Sequence, residues 1–180
     1  GHLSLVELAQ SHADAVLVSI FVNPTQFGPA EDFSAYPRQE EEDLAQLESA
    51  GVAAVYLPAG EEIYPNGPKI TEQAGALGTI LCGTDRPGHF DGVLTVVRRL
   101  FALTTPDSAI FGEKDYQQLF LIRQMVTQHA LPITILAAPI ARAEDGLALS
   151  SRNAYLSAEQ RATAPLLYHT LINTAEQLRD

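Results

Sequence analysis

The sequence predicts an α/β protein built on a doubly wound parallel sheet, and three observations support that prediction. Short apolar runs rich in β-branched residues alternate with longer amphipathic runs, a pattern typical of strands covered by helices on both faces. The connections between the apolar runs are too long for hairpins, so successive strands are expected to be parallel with right-handed crossovers. Polar residues gather where the apolar runs end, which is the edge where ligands bind such sheets.

The first third of the chain contains two predicted helices and two predicted strands. A helix-like apolar run covers Leu3–Leu8, and the β-branched stretch Ala15–Val22 is predicted as a buried strand. Arg38–Ala50 is predicted as a surface helix ended by Gly51, because its leucines and its glutamates fall on different faces. Val52–Leu57 is the next predicted strand.

The middle of the chain is predicted to be irregular and then helical. Pro58–Gly78 is rich in proline and glycine, which interrupt regular structure, and a short strand is expected around Ile70. Val93–Leu103 repeats its apolar residues at helical period and is closed by Pro106.

The last third of the chain continues the alternation. Ser108–Phe111 is predicted as a strand, and Asp115 is expected to cap a helix that runs to about Gln128. Ile133–Ala137 is a further predicted strand. Ser157–Asp180 is predicted as a single helix with Ser157 at its N-cap.

Composition excludes several classes of protein. The 180 residues contain 22 acidic and 11 basic side chains, a net charge of −11, so a nucleic-acid-binding surface is not expected and small substrates fit better. A single cysteine cannot form an internal disulfide, and no zinc-ligand spacing occurs, which favours a reducing cytoplasm. The longest apolar run is far below the roughly 20 residues that span a bilayer, so no membrane association is expected.

Three polar segments are expected to converge at one sheet edge and to bind a polyphosphate and a small acid. The turn Gly112–Asp115 offers helix N–H groups and the Lys114 ammonium, although it lacks the spacing of a P-loop. Hydroxyls and a guanidinium in Ser150–Arg152 suit phosphate oxygens. Gln26 and Gln118 carry amides that both donate and accept, as a hydroxylated acid requires.

Seven segments of the sequence carry a resemblance to a known family. Gly1-His2 with the following Leu-Ser-Leu-Val is similar to the second half of the His-x-Gly-His signature of nucleotidylyl transferases. The other six, in chain order, are Ser19–Phe27, Tyr36-Pro37-Arg38, Ile63–Gly67, Arg86–Val93, Phe111–Gln118 and Asp145–Asn153. On these segments the chain resembles the pantothenate synthetase (pantoate–β-alanine ligase) family over essentially its whole length.

The resemblance implies a two-step ligation in cytoplasmic coenzyme A biosynthesis. ATP and pantoate would give pantoyl adenylate and pyrophosphate, and β-alanine would then attack the activated acyl carbon to release pantothenate and AMP. Mg²⁺ would be bound mainly through the ATP phosphates rather than by an all-protein cage. The resemblance also implies a homodimer formed through the nucleotide-binding domain.

The resemblance assigns roles to named residues. His2 would be the catalytic acid, Lys114 and Arg152 would be the other catalytic residues, and Arg86 is expected to face the nucleotide. Gln26 and Gln118 would bind pantoate, and Gln26 would also face β-alanine. The ATP-binding residues would be Gly1, His2, Gly112, Glu113, Lys114, Asp115, Ala141, Leu149, Ser150, Ser151 and Arg152.

The expected organisation is therefore a Rossmann-like domain over residues 1–139 and the start of a smaller lid domain over 140–180, with the first strand and most of the second domain missing. Two other interpretations remain open at this point. One is a nucleotide-binding fragment without catalytic competence. The other is a sister nucleotidylyl transferase that acts on another small acid.

Overall fold

A computed structural model describes residues 1–28, 31, 33–34, 36 and 39–179. Pro37 and Arg38, which belong to the Tyr36-Pro37-Arg38 segment, lie outside the described residues. The strands are β1 (Leu17–Ser19), β2 (Ala54–Tyr56), β3 (Ser108–Gly112) and β4 (Thr134–Ala138). The helices are α1 (His2–Gln10), α2 (Glu40–Ser49), α3 (Gly60–Ile63), α4 (Cys82–Asp85), α5 (His89–Thr104), α6 (Tyr116–Gln128), α7 (Ala158–Thr163) and α8 (Leu166–Gln177).

The strands form two parallel pairs, which confirms the α/β class. β1 pairs with β2 in the register Leu17↔Ala54. β3 pairs with β4 from Ser108↔Thr134 to Gly112↔Ala138. Among the described residues these are two separate two-stranded sheets and not the continuous doubly wound sheet that was predicted.

Helices α5 and α6 supply most of the core. On α6, the side chains of Leu119, Ile122, Met125 and Val126 are all buried. On α5, Val93, Val96, Val97 and Phe101 are buried, and Leu100 packs against the same cluster. Burying one such side chain contributes about 1.5–3 kcal/mol, so the contact between these two helices is a main source of stability.

Two predicted element boundaries are confirmed by cap geometry. Gly51 ends α2 with φ +72°, a left-handed conformation that glycine adopts without strain. Ser157 caps α7 as predicted, because its Oγ accepts a hydrogen bond from the Gln160 amide while Gln160 Oε1 accepts from the Ser157 amide.

Three sequence predictions are wrong in detail. The helix expected over Ser157–Asp180 is divided into α7 and α8 at Pro165, whose ring cannot donate a helical hydrogen bond. The strand expected around Ile70 is absent, and residues 70–74 form neither strand nor helix. Asp115 precedes α6, but its side chain makes no capping hydrogen bond. A 3-10 turn over Glu113–Asp115 leads directly into the helix, so the backbone of Asp115 is not in the extended conformation that capping needs.

The predicted strand Ala15–Val22 is shorter in the structure than in the sequence interpretation. Only Leu17–Ser19 pairs in a regular ladder. Beyond its two ends, the Ile20 amide donates to the Tyr56 carbonyl, and the Val16 carbonyl accepts from the amides of Ala53 and Ala54. The predicted domain boundary at residue 139 stays a prediction. Beyond it the chain forms an isolated antiparallel bridge, Arg142↔Ala148, before α7 and α8.

Candidate active site

The carboxyl ends of β3 and β4 lie side by side because Gly112 is in register with Ala138. Helix α1 packs against the same two strands. A Cβ added to Gly112 would lie 3.9 Å from Leu5 Cδ2 of α1. The start of α1, the turn after β3 and the segment after β4 are therefore gathered at one edge. The convergence of the Gln26, Gly112–Asp115 and Ser150–Arg152 segments at a single sheet edge stays a prediction, because β1 and β3 belong to separate two-stranded sheets among the described residues.

Three of the residues expected at an ATP site meet at this edge. A Cβ added to Gly1 would lie 3.6 Å from Leu149 Cβ, and the Leu149 amide donates to the Ala141 carbonyl at 2.9 Å. His2 is the first residue of α1 and is exposed. A cleft of about 440 Å³ opens beside this group between α1 and the end of β4, and its lining is Ser4, Glu7, Leu8 and 138–141.

Lys114 lies in the 3-10 turn that follows β3. Its Nζ is 3.4 Å from both carboxylate oxygens of Asp115, and 40% of its side chain is exposed. Glu113 and Asp115 are exposed as well. The ammonium is therefore held loosely by a neighbour and faces the solvent.

The segment Ser150–Arg152 begins a further 3-10 turn. Ser150 Oγ accepts a hydrogen bond from the Arg152 amide at 3.3 Å, and the Arg152 guanidinium lies 5.4 Å from the centre of the Tyr36 ring. Arg152 lines an open cleft of about 420 Å³ together with Glu31, Asp85 and Arg86. The structure thus places Arg152 on the side of the site where Arg86 lies.

The chain just before Ser150 is fastened to α8. The Arg142 guanidinium lies 3.8 Å from the centre of the Tyr168 ring and donates to the Gly146 carbonyl at 3.0 Å. Gly146 has φ +87°, and a Cβ at this position would press into the Tyr168 ring. These contacts fix the segment from which the Ser150–Arg152 turn departs.

Gln26 lies in a 3-10 turn, Pro24–Gln26, that packs against the first turns of α5. Asn23, only 2% exposed, organises this turn: its Oδ1 accepts from the Thr25 amide, and its Nδ2 donates to Gln26 Oε1 at 3.3 Å and to the Gly92 carbonyl at 3.2 Å. The Gln26 amide oxygen is therefore engaged, which leaves its NH₂ group to donate elsewhere.

The backbone carbonyl of Gln26 also has partners. His89 Nδ1 lies 2.7 Å from it and Arg86 Nη2 lies 3.4 Å from it. Glu31 accepts two hydrogen bonds from Arg86, from Nε at 2.8 Å and from Nη2 at 2.5 Å. The expectation that Arg86 faces the nucleotide stays a prediction, because the structure gives its guanidinium a carboxylate partner.

Two of these side chains have altered acidities. The hydrogen bond from Arg86 holds the pKa of Glu31 below its ordinary value. Burial lowers the pKa of His89, since the charged imidazolium would lose its hydration there. At neutral pH the group therefore consists of an ionised Glu31, a charged Arg86 and a neutral His89.

Gln118 lies in the first turn of α6 and is half-buried. Its neighbour Gln117 fastens the preceding loop, because its Nε2 donates to the carbonyls of Leu77 and Ile80 at 2.8 Å each and its Oε1 accepts from the Cys82 amide. No hydrogen bond joins Gln26 to Gln118 in the part of the chain that the structure describes.

Sequence reasoning missed the residues that hold Gln26. Asn23 and Tyr64 occur in the quoted segments but were not assigned to the site, and Glu31 carried no signal at all. The Tyr64 hydroxyl donates to Asn23 Oδ1, and burial raises the pKa of Tyr64. An asparagine directly after a predicted buried strand and before a polar turn is the sequence signal that could have identified Asn23 as a member of this network.

Neither a metal-ligand cluster nor a transmembrane helix is found among the described residues. Within the ranges that the structure describes, no three His, Cys, Asp or Glu side chains form a group that could hold a metal ion. No helix in those same ranges combines the length and the apolar character that a transmembrane helix needs.

Comparison with known proteins gives consistent matches. The sequence profile of the Pantoate-beta-alanine ligase family matches residues 1–180. The pantothenate synthetase of Stenotrophomonas maltophilia strain K279a is 58% identical over 178 residues, and that of Rhodospirillum rubrum is 57% identical over 171 residues. These alignments cover 98% and 95% of this chain, but 64% and 61% of the relatives. The chain therefore spans less than two thirds of their length.

Solved structures give the same match. The pantothenate synthetase of Thermus thermophilus superposes with a TM-score of 0.91 at 50% identity, covering 98% of this chain and 66% of that one. The pantoate-beta-alanine ligase of Francisella tularensis, complexed with beta-gamma ATP and beta-alanine, gives a TM-score of 0.88 at 42% identity, covering 94% and 65%.

Proposed function

Because the chain belongs to the pantoate–β-alanine ligase family, we propose that it catalyses the ATP-dependent ligation of pantoate with β-alanine. Pantoate would first react with ATP to give pantoyl adenylate and pyrophosphate. The amine of β-alanine would then attack the activated acyl carbon and release pantothenate and AMP. The observation that carries this proposal is the family match over the whole chain, and the proximity of Gly1, Ala141 and Leu149 beside the ends of β3 and β4 supports it.

The chemistry explains the residue types at this edge. A carboxylate is a poor acyl donor because its leaving group would be oxide, whereas the mixed anhydride with AMP has a stabilised phosphate as leaving group. The enzyme must therefore stabilise negative charge on phosphate oxygens in both steps. Fixed N–H groups and cations provide that stabilisation without reorganising during the reaction.

On the nucleotide side, ATP would lie across the start of α1. The cleft of about 440 Å³ beside Ala141 has room for the adenine ring, with the Ala141 backbone as its contact. Gly1 and Leu149 would bound the nucleotide, and His2 at the helix N-terminus would act as the acid toward its phosphates. Gly112, Glu113, Lys114 and Asp115 would form the other wall, with Lys114 balancing phosphate charge.

Arg152 with Ser150 and Ser151 would close on the phosphates from the lid side. The guanidinium binds phosphate oxygens with two parallel hydrogen bonds, and this interaction strengthens as negative charge grows. The attachment of the preceding segment to α8 through Arg142 and Tyr168 supports a fixed point of departure for this turn.

Gln26 and Gln118 would bind pantoate. Since Asn23 engages Gln26 Oε1, the Gln26 NH₂ group is left to donate to a substrate oxygen, and the same group would face β-alanine. Gln118 is half-buried at the start of α6, next to the turn that carries Lys114, which supports a pantoate contact close to the phosphates.

Mg²⁺ would accompany ATP. The exposed carboxylate of Asp115 suits a metal that takes one or two protein oxygens and completes its shell with phosphates and water. When bound, the metal neutralises phosphate charge.

We place this reaction in the cytoplasm, on a Rossmann-like sheet, in a protein that forms a homodimer. The exposed rings of Tyr116 and Phe120, four residues apart on one face of α6, support a second copy as partner. Light scattering of the purified protein tests the dimer.

Pantoate-dependent exchange of pyrophosphate into ATP tests the activity directly. We expect exchange only when pantoate is present, and pantothenate formation when β-alanine is added. Exchange with another acid but not with pantoate would overturn the substrate assignment. ATP binding in a calorimeter without any exchange would overturn the catalytic proposal.

A further inference from the structure

We propose that His89 is a positioning residue, which holds Gln26 in place through its backbone carbonyl and does so only as the neutral Nδ1–H tautomer. The role in substrate binding rests on the function proposed above. The tautomer and its contacts rest on the geometry alone, so the two parts can be tested separately.

The partners of His89 fix its protonation state. Nδ1 lies 2.7 Å from the Gln26 carbonyl oxygen, which can only accept, so Nδ1 carries the proton. Nε2 lies 2.9 Å from Arg86 Nη1, which can only donate, so Nε2 is unprotonated. Both ring nitrogens are used, and only the neutral Nδ1–H form satisfies both contacts.

The same first turn of α5 holds the other end of the Gln26 turn. Asn23 Nδ2 donates to the Gly92 carbonyl and to Gln26 Oε1. Gly92 is also the point of closest approach, because a Cβ there would collide with the Thr25 carbonyl. Gln26 is thus held at its side-chain oxygen through Asn23 and at its backbone oxygen through His89.

Protonation of His89 would break this arrangement. A proton on Nε2 would point at the Arg86 guanidinium, replacing a hydrogen bond with a contact between two cations. The other charges that face the ring are Glu31, whose carboxylate already accepts two hydrogen bonds from Arg86, and Asp115 at the turn after β3. Asp85 and Arg152 line the adjoining cleft. Burial opposes the cation as well, since it lowers the pKa of His89.

Loss of the His89 contact should therefore act on the substrates that Gln26 binds. We expect a higher KM for pantoate and β-alanine, while the KM for ATP, which is bound around Gly1, Lys114 and Ala141 in the proposed function, changes little.

Two substitutions separate a positioning role from a packing role. In His89→Asn the amide nitrogen occupies the place of Nδ1 and can still donate to the Gln26 carbonyl, whereas in His89→Gln the amide lies at the distance of Nε2. We expect the pantoate KM to rise about tenfold in His89→Gln and by less than about threefold in His89→Asn. His12→Gln, at an exposed histidine, serves as control. Equal effects of the two His89 variants, or an equal rise in the ATP KM, would overturn the proposal.

The pH profile gives a second test. In the wild type, kcat/KM for pantoate should fall on acidification as His89 becomes protonated, and this part of the acid limb should disappear in His89→Asn. An unchanged limb in that variant would assign the titration to another group and contradict the proposal.

Nitrogen NMR of histidine-labelled protein tests the tautomer without any assay of activity. The sequence has five histidines, and the ring-nitrogen signals of His89 are identified as those that are missing from the spectrum of His89→Asn. We expect the Nδ1–H tautomer of His89 at pH 7, and observing the Nε2–H tautomer or the cation would overturn the inference even if the enzyme is active. If the protein makes no pantothenate but His89 has the Nδ1–H form, the proposed function fails and the positioning geometry stands.

Discussion

The Tyr64 hydroxyl donates a 2.6 Å hydrogen bond to Asn23 Oδ1 across 41 residues of chain. The same oxygen accepts from the amide and the hydroxyl of Thr25, at 3.3 and 3.0 Å. Asn23 and Tyr64 are both buried, so these hydrogen bonds are shielded from water. If one of them is lost, water cannot replace it. The contact joins the turn after β1 to the end of α3.

Tyr64→Phe should lower the free energy of unfolding by about 1 kcal/mol, because Asn23 Oδ1 keeps its two donors from Thr25. Asn23→Ala should cost at least about 2 kcal/mol, since it removes a buried side chain that accepts from Tyr64 and Thr25 and donates to the Gly92 carbonyl, and it leaves the Tyr64 hydroxyl with Thr25 Oγ1, 3.0 Å away, as its remaining partner among the described residues. Urea unfolding measures both. Tyr56→Phe is the matched control, because the Tyr56 hydroxyl has no hydrogen-bond partner among the described residues. Equal losses in the Tyr64 and Tyr56 variants would contradict the assignment.

Gly92→Ala should destabilise the protein although the position lies inside a helix. Alanine normally gains about 1 kcal/mol over glycine in a helix interior, but here its Cβ would collide with the Thr25 carbonyl. Overpacking against backbone costs about 1–3 kcal/mol, so the net effect should be a loss and a displaced Gln26 turn.

The control for this change is Gly60→Ala at the start of α3, where nothing lies within 4 Å of an added Cβ. It should leave the urea midpoint unchanged or slightly raised. A Gly92→Ala protein as stable as Gly60→Ala would show that the turn after β1 does not pack closely on α5.

The elements that could be predicted are those whose signal is local. The apolar period of α5 and α6 and the stop at Gly51 depend on residues within one or two turns, and the structure confirms them. The strand expected at Ile70 failed for a reason outside its own sequence. The amides of Thr71 and Glu72 donate to Thr95 Oγ1, at 3.1 Å each, so this segment is bound to the side of α5 instead of joining a sheet.

The candidate site likewise contains residues that the sequence identifies and contacts that it does not reveal. The order of the motifs is enough to identify Gln26, Lys114 and Arg152 as candidate site residues. The hydrogen bond that holds the Gln26 carbonyl comes from His89, 63 residues away. Pairs of loop residues separated by such distances leave no periodicity in the chain. The ion pair of Arg86 with Glu31 is hidden for the same reason, since either residue alone resembles an ordinary surface charge.

Glu31 should make stability depend on pH at the acid end. The hydrogen bond from Arg86 holds its pKa below the ordinary value of 4.5, so its contribution is fully present above the unfolded pKa and is lost as pH falls through the lower folded pKa. Glu31→Gln removes this titration. Urea unfolding from pH 6.5 to 3.5 should show a stability gap between wild type and variant that narrows below pH 4.5.

A gap that stays constant over this range would mean that Glu31 has the same pKa in the folded and unfolded states. Repeating the series at high salt supplies the control. The bidentate pair is partly shielded, with side-chain exposures of 30% for Arg86 and 23% for Glu31, so the gap at pH 6.5 should shrink only in part as salt rises.

Lys114→Ala should slow adenylation about 100-fold or more without harming the fold. The sequence has only one other lysine, Lys69, which is also exposed and lies far along the chain in the irregular region. Removing a preorganised charge at a developing phosphate anion costs about 100-fold or more in rate, so pantoate-dependent exchange should drop by that factor in Lys114→Ala and remain at wild-type rate in Lys69→Ala. Thermal unfolding should be unchanged in both, because 40% of the Lys114 side chain is exposed and its contact with Asp115 is 3.4 Å long. Equal exchange rates in the two variants would remove Lys114 from the site, whereas a loss of exchange accompanied by a lower melting temperature would make its role structural.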